Sequence, residues 1–248
     1  MPILEAKGIH KDFSGLEVLT GVDFQLAAGE RFAIIGPNGA GKTTLFNILS
    51  GAFSPTRGNV LFKGEDISRK PPHLRNRLGM SRSFQITNVF KEISVFDNVL
   101  AGVRSREGLR CHYLRRPFKN RGLLERTDEI LMQVGLENER DTPAHELAYG
   151  QQRALEMGIT LSTAPDLILL DEPTAGMSRQ ETEDAVQMIR RVTESKACII
   201  IEHDMNVVFS LADRISVLHY GVILACGLPE EIRNDQRVKD AYLGQDNQ

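Results

Sequence analysis

The residues with the clearest chemistry lie at 36–43, where the sequence reads GPNGAGKT. An apolar run at 32–35 precedes them and a helix start at 44–49 follows, which is the order that a P-loop requires. Glycines let the backbone approach an anion, so successive N–H groups and the helix N-terminus can face phosphates. Lys42 would reach the outer phosphates, and the Thr43 hydroxyl would be a ligand of Mg²⁺. The motif predicts a site for a magnesium nucleotide.

A second group with chemical potential follows the apolar run at 167–170, where Asp171 and Glu172 stand side by side. Asp171 at a strand end could hold the magnesium shell, and Glu172 could polarise a water for in-line attack on the terminal phosphate. Two solvated acids after a strand are the alternative interpretation. The P-loop upstream favours phosphate hydrolysis.

These residues need elements that position them, and the chain alternates strand and helix patterns. Strands are predicted at 3–6, 22–26, 31–35, 59–62, 80–84, 167–170 and 198–201. From about 94 to 161, helical periodicity and charged residues dominate, which predicts a helical subdomain inserted into an α/β core.

The last third of the chain predicts one long helix and a hairpin. The helix runs from about Arg179 to Glu194, and its apolar face consists of Ala185, Val186, Ile189 and Val192. The hairpin turns at Tyr220 and Gly221, and two short helices follow, after Pro229 and near Val238.

Composition is that of a globular protein, with 248 residues, 41% hydrophobic content and a net charge of -3. This balance gives no general drive toward nucleic acid. No apolar run approaches the roughly 18 to 20 residues that cross a bilayer, and no signal segment begins the chain, so we expect a cytoplasmic protein. The three cysteines, Cys111, Cys198 and Cys226, predict reduced thiols without a metal site.

One segment departs from the mildly acidic balance. From Arg104 to Arg121, both included, the sequence contains seven basic residues and a single acid, Glu107. This stretch could contact phospholipid headgroups or an acidic partner, or it could be a solvated surface insertion.

Residues 147–153 read LAYGQQR, and Gly150 lies 21 positions before Asp171. This run resembles the signature motif of ABC-transporter ATPases. The resemblance implies a helix N-terminus whose backbone donors, around Ala148, Gly150 and Gln151, serve the terminal phosphate bound by another subunit. Two ATPase subunits, identical or homologous, would then form a head-to-tail dimer around two ATP molecules.

Three further residues match the family in order. Gln85 resembles the glutamine that senses magnesium and the membrane partner, and His203 resembles the switch histidine at the terminal phosphate. Phe13 stands where the family stacks an aromatic ring on adenine, which is worth about 1–3 kcal/mol for a stacked base. Taken alone, these residues could be a surface glutamine, a satisfied structural histidine and a core phenylalanine.

The resemblance spans nearly the whole chain and implies an α/β fold with a P-loop NTPase core, an N-terminal antiparallel β subdomain and the inserted helical subdomain. We expect a single domain, 1–248, with 1–93 and 162–248 as the core and 94–161 as the helical subdomain. Three short runs narrow the resemblance to the ATPases of branched-chain amino acid importers. They are EHDM at 202–205, AY at 148–149 and AYLG at 241–244.

The function implied is ATP hydrolysis that drives solute import, with Mg²⁺ and ATP as cofactors. The expected partners are a second ATPase, two integral membrane permeases and, indirectly, a solute-binding protein, with no nucleic acid; the expected place is the cytoplasmic face of the membrane. Open alternatives are a urea or amide importer and a soluble ABC ATPase acting on nucleic acid or ribosomes. A P-loop kinase would leave 147–153 without a role.

Two positions depart from the family pattern. Ala148 replaces the usual signature serine, and Ser178 replaces the usual aspartate after Thr174. The first removes a hydroxyl that could bond phosphate, and the second puts charge-based communication between the two ATP sites in doubt.

The predicted site falls into three groups. Catalytic roles are assigned to Lys42, Glu172 and His203, and metal contacts to Thr43, Gln85 and Asp171. The residues predicted to contact the nucleotide are Phe13, Gly36, Pro37, Asn38, Gly39, Ala40, Gly41, Lys42, Thr43, Thr44, Gln85, Ala148, Gly150, Gln151 and Asp171.

Overall fold

A computed structural model describes residues 1–83, 89–107 and 121–243. Its strands are β1 (Leu4–Phe13), β2 (Leu16–Leu26), β3 (Arg31–Ile35), β4 (Arg57–Phe62), β5 (Glu65–Asp66), β6 (Met80–Arg82), β7 (Leu167–Asp171), β8 (Ala197–Ile201), β9 (Arg214–His219) and β10 (Val222–Gly227). Its helices are α1 (Lys42–Ser50), α2 (Pro72–Arg77), α3 (Val95–Arg106), α4 (Arg121–Val134), α5 (Tyr149–Ser162), α6 (Arg179–Val192), α7 (Met205–Leu211), α8 (Pro229–Asn234) and α9 (Gln236–Leu243).

The strands form two sheets. The first is antiparallel, in the order β2-β1-β4-β5. The second has the order β10-β9-β3-β8-β7-β6 and is parallel from β9 to β6, with β10 antiparallel at its edge. This arrangement confirms the predicted α/β fold with an N-terminal antiparallel sheet.

The position of the interior strand β7 explains why its sequence is apolar without alternation. Leu167 and Leu169 join the core beneath the antiparallel sheet, where α1 also packs. Ile168 and Leu170 join the opposite core, which contains α3 to α7. A parallel strand that is covered on both faces must be apolar at every position.

Helices α3, α4 and α5 pack against one another within the stretch predicted to be helical. The side chain of Ser94 accepts a hydrogen bond of 3.1 Å from the Asp97 N–H and so caps the start of α3. Gly102 allows α3 to approach α5 closely, since a Cβ there would lie 1.8 Å from the Ser162 Oγ. The boundaries proposed for a helical subdomain, 94 and 161, stay a prediction.

The predicted C-terminal elements are confirmed with small shifts. Helix α6 ends at Val192, two residues before the predicted end, and all four residues of its apolar face are buried. The hairpin joins β9 and β10 at the predicted turn, and α8 and α9 lie where short helices were expected. Strand β6 ends at Arg82, whereas the prediction continued to Phe84, which lies outside the described residues.

Within residues 1–83, 89–107 and 121–243, no helix has the length and apolar character that crossing a membrane requires. Most of the predicted basic segment, including Arg110, Arg115, Arg116 and Lys119, lies outside the described residues, as does Cys111.

Candidate functional site

The order of the parallel sheet brings three loops to one edge. Strand β8 lies between β3 and β7, and the register places Ile201 opposite both Ile34 and Asp171. The three strands therefore end at the same edge of the sheet. The P-loop follows β3, Glu172 follows β7, and His203 lies just after β8. The carboxyl edge of an open parallel sheet is where such folds bind ligands.

The P-loop has the backbone that its glycines permit. Gly36, Gly39 and Gly41 have φ angles of 150°, 77° and 102°. A Cβ at Gly36 would lie 2.0 Å from the Leu218 carbonyl oxygen, so no larger residue fits there. Asn38 and Gly39 are exposed at the crest of the loop, while Pro37 and Ala40 are buried beneath it.

Lys42 folds back over this loop. Its Nζ donates to the carbonyl oxygens of Gly36 at 2.6 Å and Pro37 at 2.9 Å. Burial lowers the pKa of Lys42, and the nearby Glu172 carboxylate acts in the opposite direction. The ammonium is therefore held at the inner face of the P-loop, close to the acid that follows β7. Thr43 is exposed and Thr44 half-buried at the start of α1.

Asp171 ends β7 and is 7% exposed. Its Oδ2 accepts from Arg82 Nη2 at 3.0 Å, and the same guanidinium donates to the Asn47 Oδ1 at 2.7 Å. Burial raises the pKa of Asp171, and Arg82 opposes that effect. Sequence reasoning missed Arg82, because its contact depends on β6 pairing with β7 across a wide gap in sequence.

Glu172 and His203 are brought together by the structure. Glu172 has a φ of 46°, which is uncommon for a residue with a side chain, and its N–H donates to the Ile201 carbonyl at 2.8 Å. His203 Nδ1 lies 3.6 Å from the Glu172 Oε1. Both side chains are open to solvent, with His203 the more exposed.

The residues of the predicted signature lie at the start of α5. Ala148 is the N-cap, and its N–H donates to the Gln151 Oε1 at 3.0 Å. Gly150 faces Glu181, whose Oε1 would be 3.4 Å from a Cβ at that glycine. The Tyr149 hydroxyl donates to the Ala175 carbonyl at 2.9 Å, so the start of α5 contacts the loop that follows Glu172.

A cavity of about 540 Å³ separates α5 from β7. Ala148, Gly150 and Gln151 line it together with Ser83 and Asp171. The described lining residues include none of the P-loop. The cavity therefore places the signature residues beside Asp171 but includes no described residue of the P-loop.

Phe13 is an exposed residue of β1, with 41% of its surface accessible, and it is not in the core. Its ring lies 5.6 Å from that of Phe53 in an edge-on arrangement, and Lys11 Nζ lies 4.9 Å from its centroid. An exposed ring of this kind offers a face to a base. Gln85 lies outside the described residues.

The donor set fits Mg²⁺ bound with a nucleotide. No cluster of three or more His, Cys, Asp or Glu residues suitable for a metal occurs in the described part of the chain. Mg²⁺ with phosphates commonly takes only one or two protein oxygens, and its other positions go to phosphate and water. A hydroxyl from Thr43 and a carboxylate from Asp171 meet that need, and the glycine-lined loop with Lys42 accommodates the phosphates.

The C-terminal helix reaches the P-loop, which sequence reasoning did not anticipate. Tyr242 in α9 lies beside the backbone of Gly36, and burial raises the pKa of its hydroxyl to about 12. The sequence pattern assigns no role to the tyrosine of the run AYLG. Only the spatial position of α9 reveals the contact.

Two family models match the chain. One, described as ABC transporter, covers residues 19–175. The other, described as branched-chain amino acid ATP-binding cassette transporter, covers residues 222–247.

Curated relatives match over almost the full length. BraF of Pseudomonas aeruginosa, a high-affinity branched-chain amino acid transport ATP-binding protein, is 38% identical over 253 residues, covering 98% of each chain. LivG of Escherichia coli K12, which carries the same description, is 37% identical with the same coverage. LptB of Acidithiobacillus ferridurans, a lipopolysaccharide export ATP-binding protein, is 33% identical over 98% of this chain and 97% of its own.

Solved structures match as well. The ADP conformation of an ATP-binding cassette of an ABC transporter has a TM-score of 0.86 and 31% sequence identity, with 98% of this chain and 99% of that chain covered.

Proposed function

The chain belongs to the ABC transporter ATP-binding family and is an ATPase subunit of that type, and from this premise we propose that it powers import of branched-chain or other hydrophobic amino acids through partner permeases. One observation supports the catalytic part most strongly. Three neighbouring strands end at the P-loop, at Glu172 and at His203, and the last two side chains lie 3.6 Å apart.

In the proposed reaction, the P-loop backbone and Lys42 bind the β- and γ-phosphates of ATP. To do so, Lys42 exchanges its bonds to the Gly36 and Pro37 carbonyls for phosphate oxygens. Glu172 orients a water in line with the terminal phosphate and accepts its proton. His203, beside Glu172, donates a hydrogen bond to the terminal phosphate and fixes the same water.

Thr43 and Asp171 would hold Mg²⁺, with Gln85 as a further proposed contact. The bound ion would neutralise charge on the β- and γ-phosphates. Arg82 donates to the Asp171 carboxylate and so opposes the effect of burial on the acid that would bind the cation.

We propose that the active unit is a head-to-tail pair of ATPase subunits. The signature residues line a cavity apart from the P-loop of their own chain, which supports their use by a second subunit. Ala148 has no hydroxyl, so the donors would be backbone N–H groups at the start of α5. ATP then binds the closed pair more tightly than the open pair, because its terminal phosphate contacts both subunits. Hydrolysis removes this difference in affinity.

The cargo and the location are inferred from the relatives. A model of branched-chain amino acid cassettes matches residues 222–247, and this match favours amino acid import over the export described for LptB. The proposal places the chain at the cytoplasmic face of a membrane, bound to two permeases that receive solute from a binding protein.

Transport in proteoliposomes tests this proposal. The chain is reconstituted with its two permeases and its second ATPase, and labelled leucine, urea and short amides are offered with the solute-binding protein outside. ATP-dependent leucine uptake is expected, and the Glu172→Gln complex should bind ATP without transporting. Uptake of urea or amides alone, or of no solute despite ATP hydrolysis, would contradict the assigned cargo.

A further inference from the structure

Glu202 is a buried acid between two functional loops. It directly follows β8, stands next to His203 and is 1% exposed. A carboxylate that is removed from water costs much free energy unless hydrogen bonds replace its hydration. Its hydrogen-bond partners therefore show how the fold satisfies this buried acid.

Both oxygens of Glu202 are engaged, and their partners come from different loops. Oε1 accepts from the Thr174 N–H at 3.0 Å and from the Thr174 hydroxyl at 2.5 Å. Oε2 accepts from the His203 N–H at 3.1 Å. Hydrogen bonds to an ionised acceptor are the strong kind, so one side chain joins the loop after β7 to the loop after β8.

These hydrogen bonds lie beside the proposed catalytic pair, Glu172 and His203. Thr174 is two residues after Glu172, and the Glu172 N–H is already fixed to the Ile201 carbonyl at 2.8 Å. The loop that carries Glu172 is thus bound to the end of β8 at two points, through the Glu172 N–H and through Thr174. Both attachments lie within two residues of His203 or Glu172, whose side chains are 3.6 Å apart.

The same loop continues to the surface that a second subunit would contact. Ala175 accepts the hydrogen bond from Tyr149 at the start of α5. Ser178 carries no charge, and its hydroxyl donates to the Glu181 Oε2 at 2.7 Å within the start of α6. A movement of residues 174–178 can therefore reach His203 through Glu202 without a charged group at position 178.

We propose that Glu202 is a positioning residue that couples the 174–178 loop to His203, so that closure of the two subunits sets the orientation of His203. The inference rests on the proposed ATPase mechanism. It assigns Glu202 no contact with nucleotide; the acid acts through the backbone of His203 and through Thr174.

The test uses Glu202→Gln in the assembled complex, with Glu194→Gln at an exposed glutamate as the matched control. The amide has nearly the same shape but presents its NH₂ to a donor, either at Thr174 or at His203. We expect single-turnover hydrolysis of ATP to fall by about 10- to 100-fold, in line with loss of a hydrogen bond to a charged group. The dissociation constant for ATP should not change, and Glu194→Gln should behave as wild type.

A double-mutant cycle separates positioning from a purely structural role. In a His203→Ala background, Glu202→Gln should cause little further loss of hydrolysis, because the imidazole that it positions is absent. Thr174→Val removes one donor and leaves the Thr174 N–H in place, so it should give a smaller loss of the same kind, which Thr174→Ser restores.

Three results would overturn the inference. Glu202→Gln could hydrolyse ATP at the wild-type rate, or its fold-loss in rate could multiply fully with that of His203→Ala in the double variant. The third result is a loss in rate that equals the unfolded fraction measured by thermal unfolding. If Glu202→Gln does not fold, Thr174→Val decides by the same criteria. An inactive wild-type complex would instead count against the proposed function itself.

Discussion

Two charged side chains of the proposed site lie in surroundings that favour their neutral forms. Burial lowers the pKa of Lys42 and raises that of Asp171. Each charge is offset by a neighbour, since Glu172 acts on Lys42 and Arg82 acts on Asp171. Because both groups are desolvated before ligand arrives, their interactions with phosphate and cation should be stronger than those of exposed charges.

Lys42→Ala tests this at the level of one residue. The phosphates lose a charged hydrogen-bond donor, so ATP affinity should fall by about 10- to 100-fold, the equivalent of a charged hydrogen bond. A fluorescence titration with an ATP analogue measures it. Lys239→Ala, at an exposed lysine of α9, is the control and should bind normally. Equal affinity of the two variants would remove Lys42 from the proposed phosphate site.

At the level of elements, three neighbouring strands carry both the core and the site. Strands β3, β8 and β7 are buried along their lengths apart from Arg31, and each ends at a loop with a proposed role. The stiffness of this packed centre holds the loops in register. A substitution in the core of β8 should therefore lower the free energy of unfolding more than it lowers the rate of hydrolysis by the folded protein.

Ile200→Ala measures that contribution. Ile200 is fully buried in β8, so its truncation leaves a cavity and should lower the free energy of unfolding by about 2–5 kcal/mol. Val222→Ala in β10, where the side chain is 41% exposed, should change it by no more than about 0.5 kcal/mol. Urea unfolding followed by circular dichroism compares them. A cost for Ile200→Ala as small as that of the control would show that β8 is not central to the core.

Helix α9 adds an expected dependence of stability on pH. The pKa of Tyr242 is raised from 10.0 to about 12, so the folded state holds this proton more tightly than the unfolded state. The stabilisation is complete below pH 10.0 and is lost as the pH rises through about 12. Tyr242→Phe should therefore lose less stability than wild type over this range, whereas Tyr220→Phe, at an 82% exposed tyrosine, should follow wild type. Identical alkaline curves for all three proteins would contradict the burial of the Tyr242 hydroxyl.

Sequence patterns predicted the elements whose burial is regular. The apolar run of β7 and the four-residue face of α6 both appear in the structure as buried surfaces. Short elements such as α2 and α7 were missed, since six or seven residues hold too few turns to show a period. The contacts of Arg82 with Asp171 and of Glu202 with Thr174 join residues distant in sequence, so only the order of the strands reveals them.

At the scale of the whole molecule, the proposed ATP site consists of two groups of residues that two subunits would bring together. The P-loop, Glu172 and His203 lie at the edge of the parallel sheet, while the start of α5 borders a cavity whose described lining includes Asp171 but no residue of the P-loop. A second ATPase facing this one would bring the missing half to each nucleotide. The proposed cycle therefore depends on hydrolysis at Glu172 to reopen the pair.

Hydrolysis by the Glu172→Gln complex tests this account most directly. Single-turnover hydrolysis of labelled ATP and the dissociation constant for ATP are measured on the same preparation, beside wild type and the exposed control Glu194→Gln. The account predicts unchanged affinity, a rate lower by about 10²–10⁴-fold, the usual contribution of a general base, and accumulation of a nucleotide-bound dimer. Hydrolysis at the wild-type rate by Glu172→Gln would contradict it.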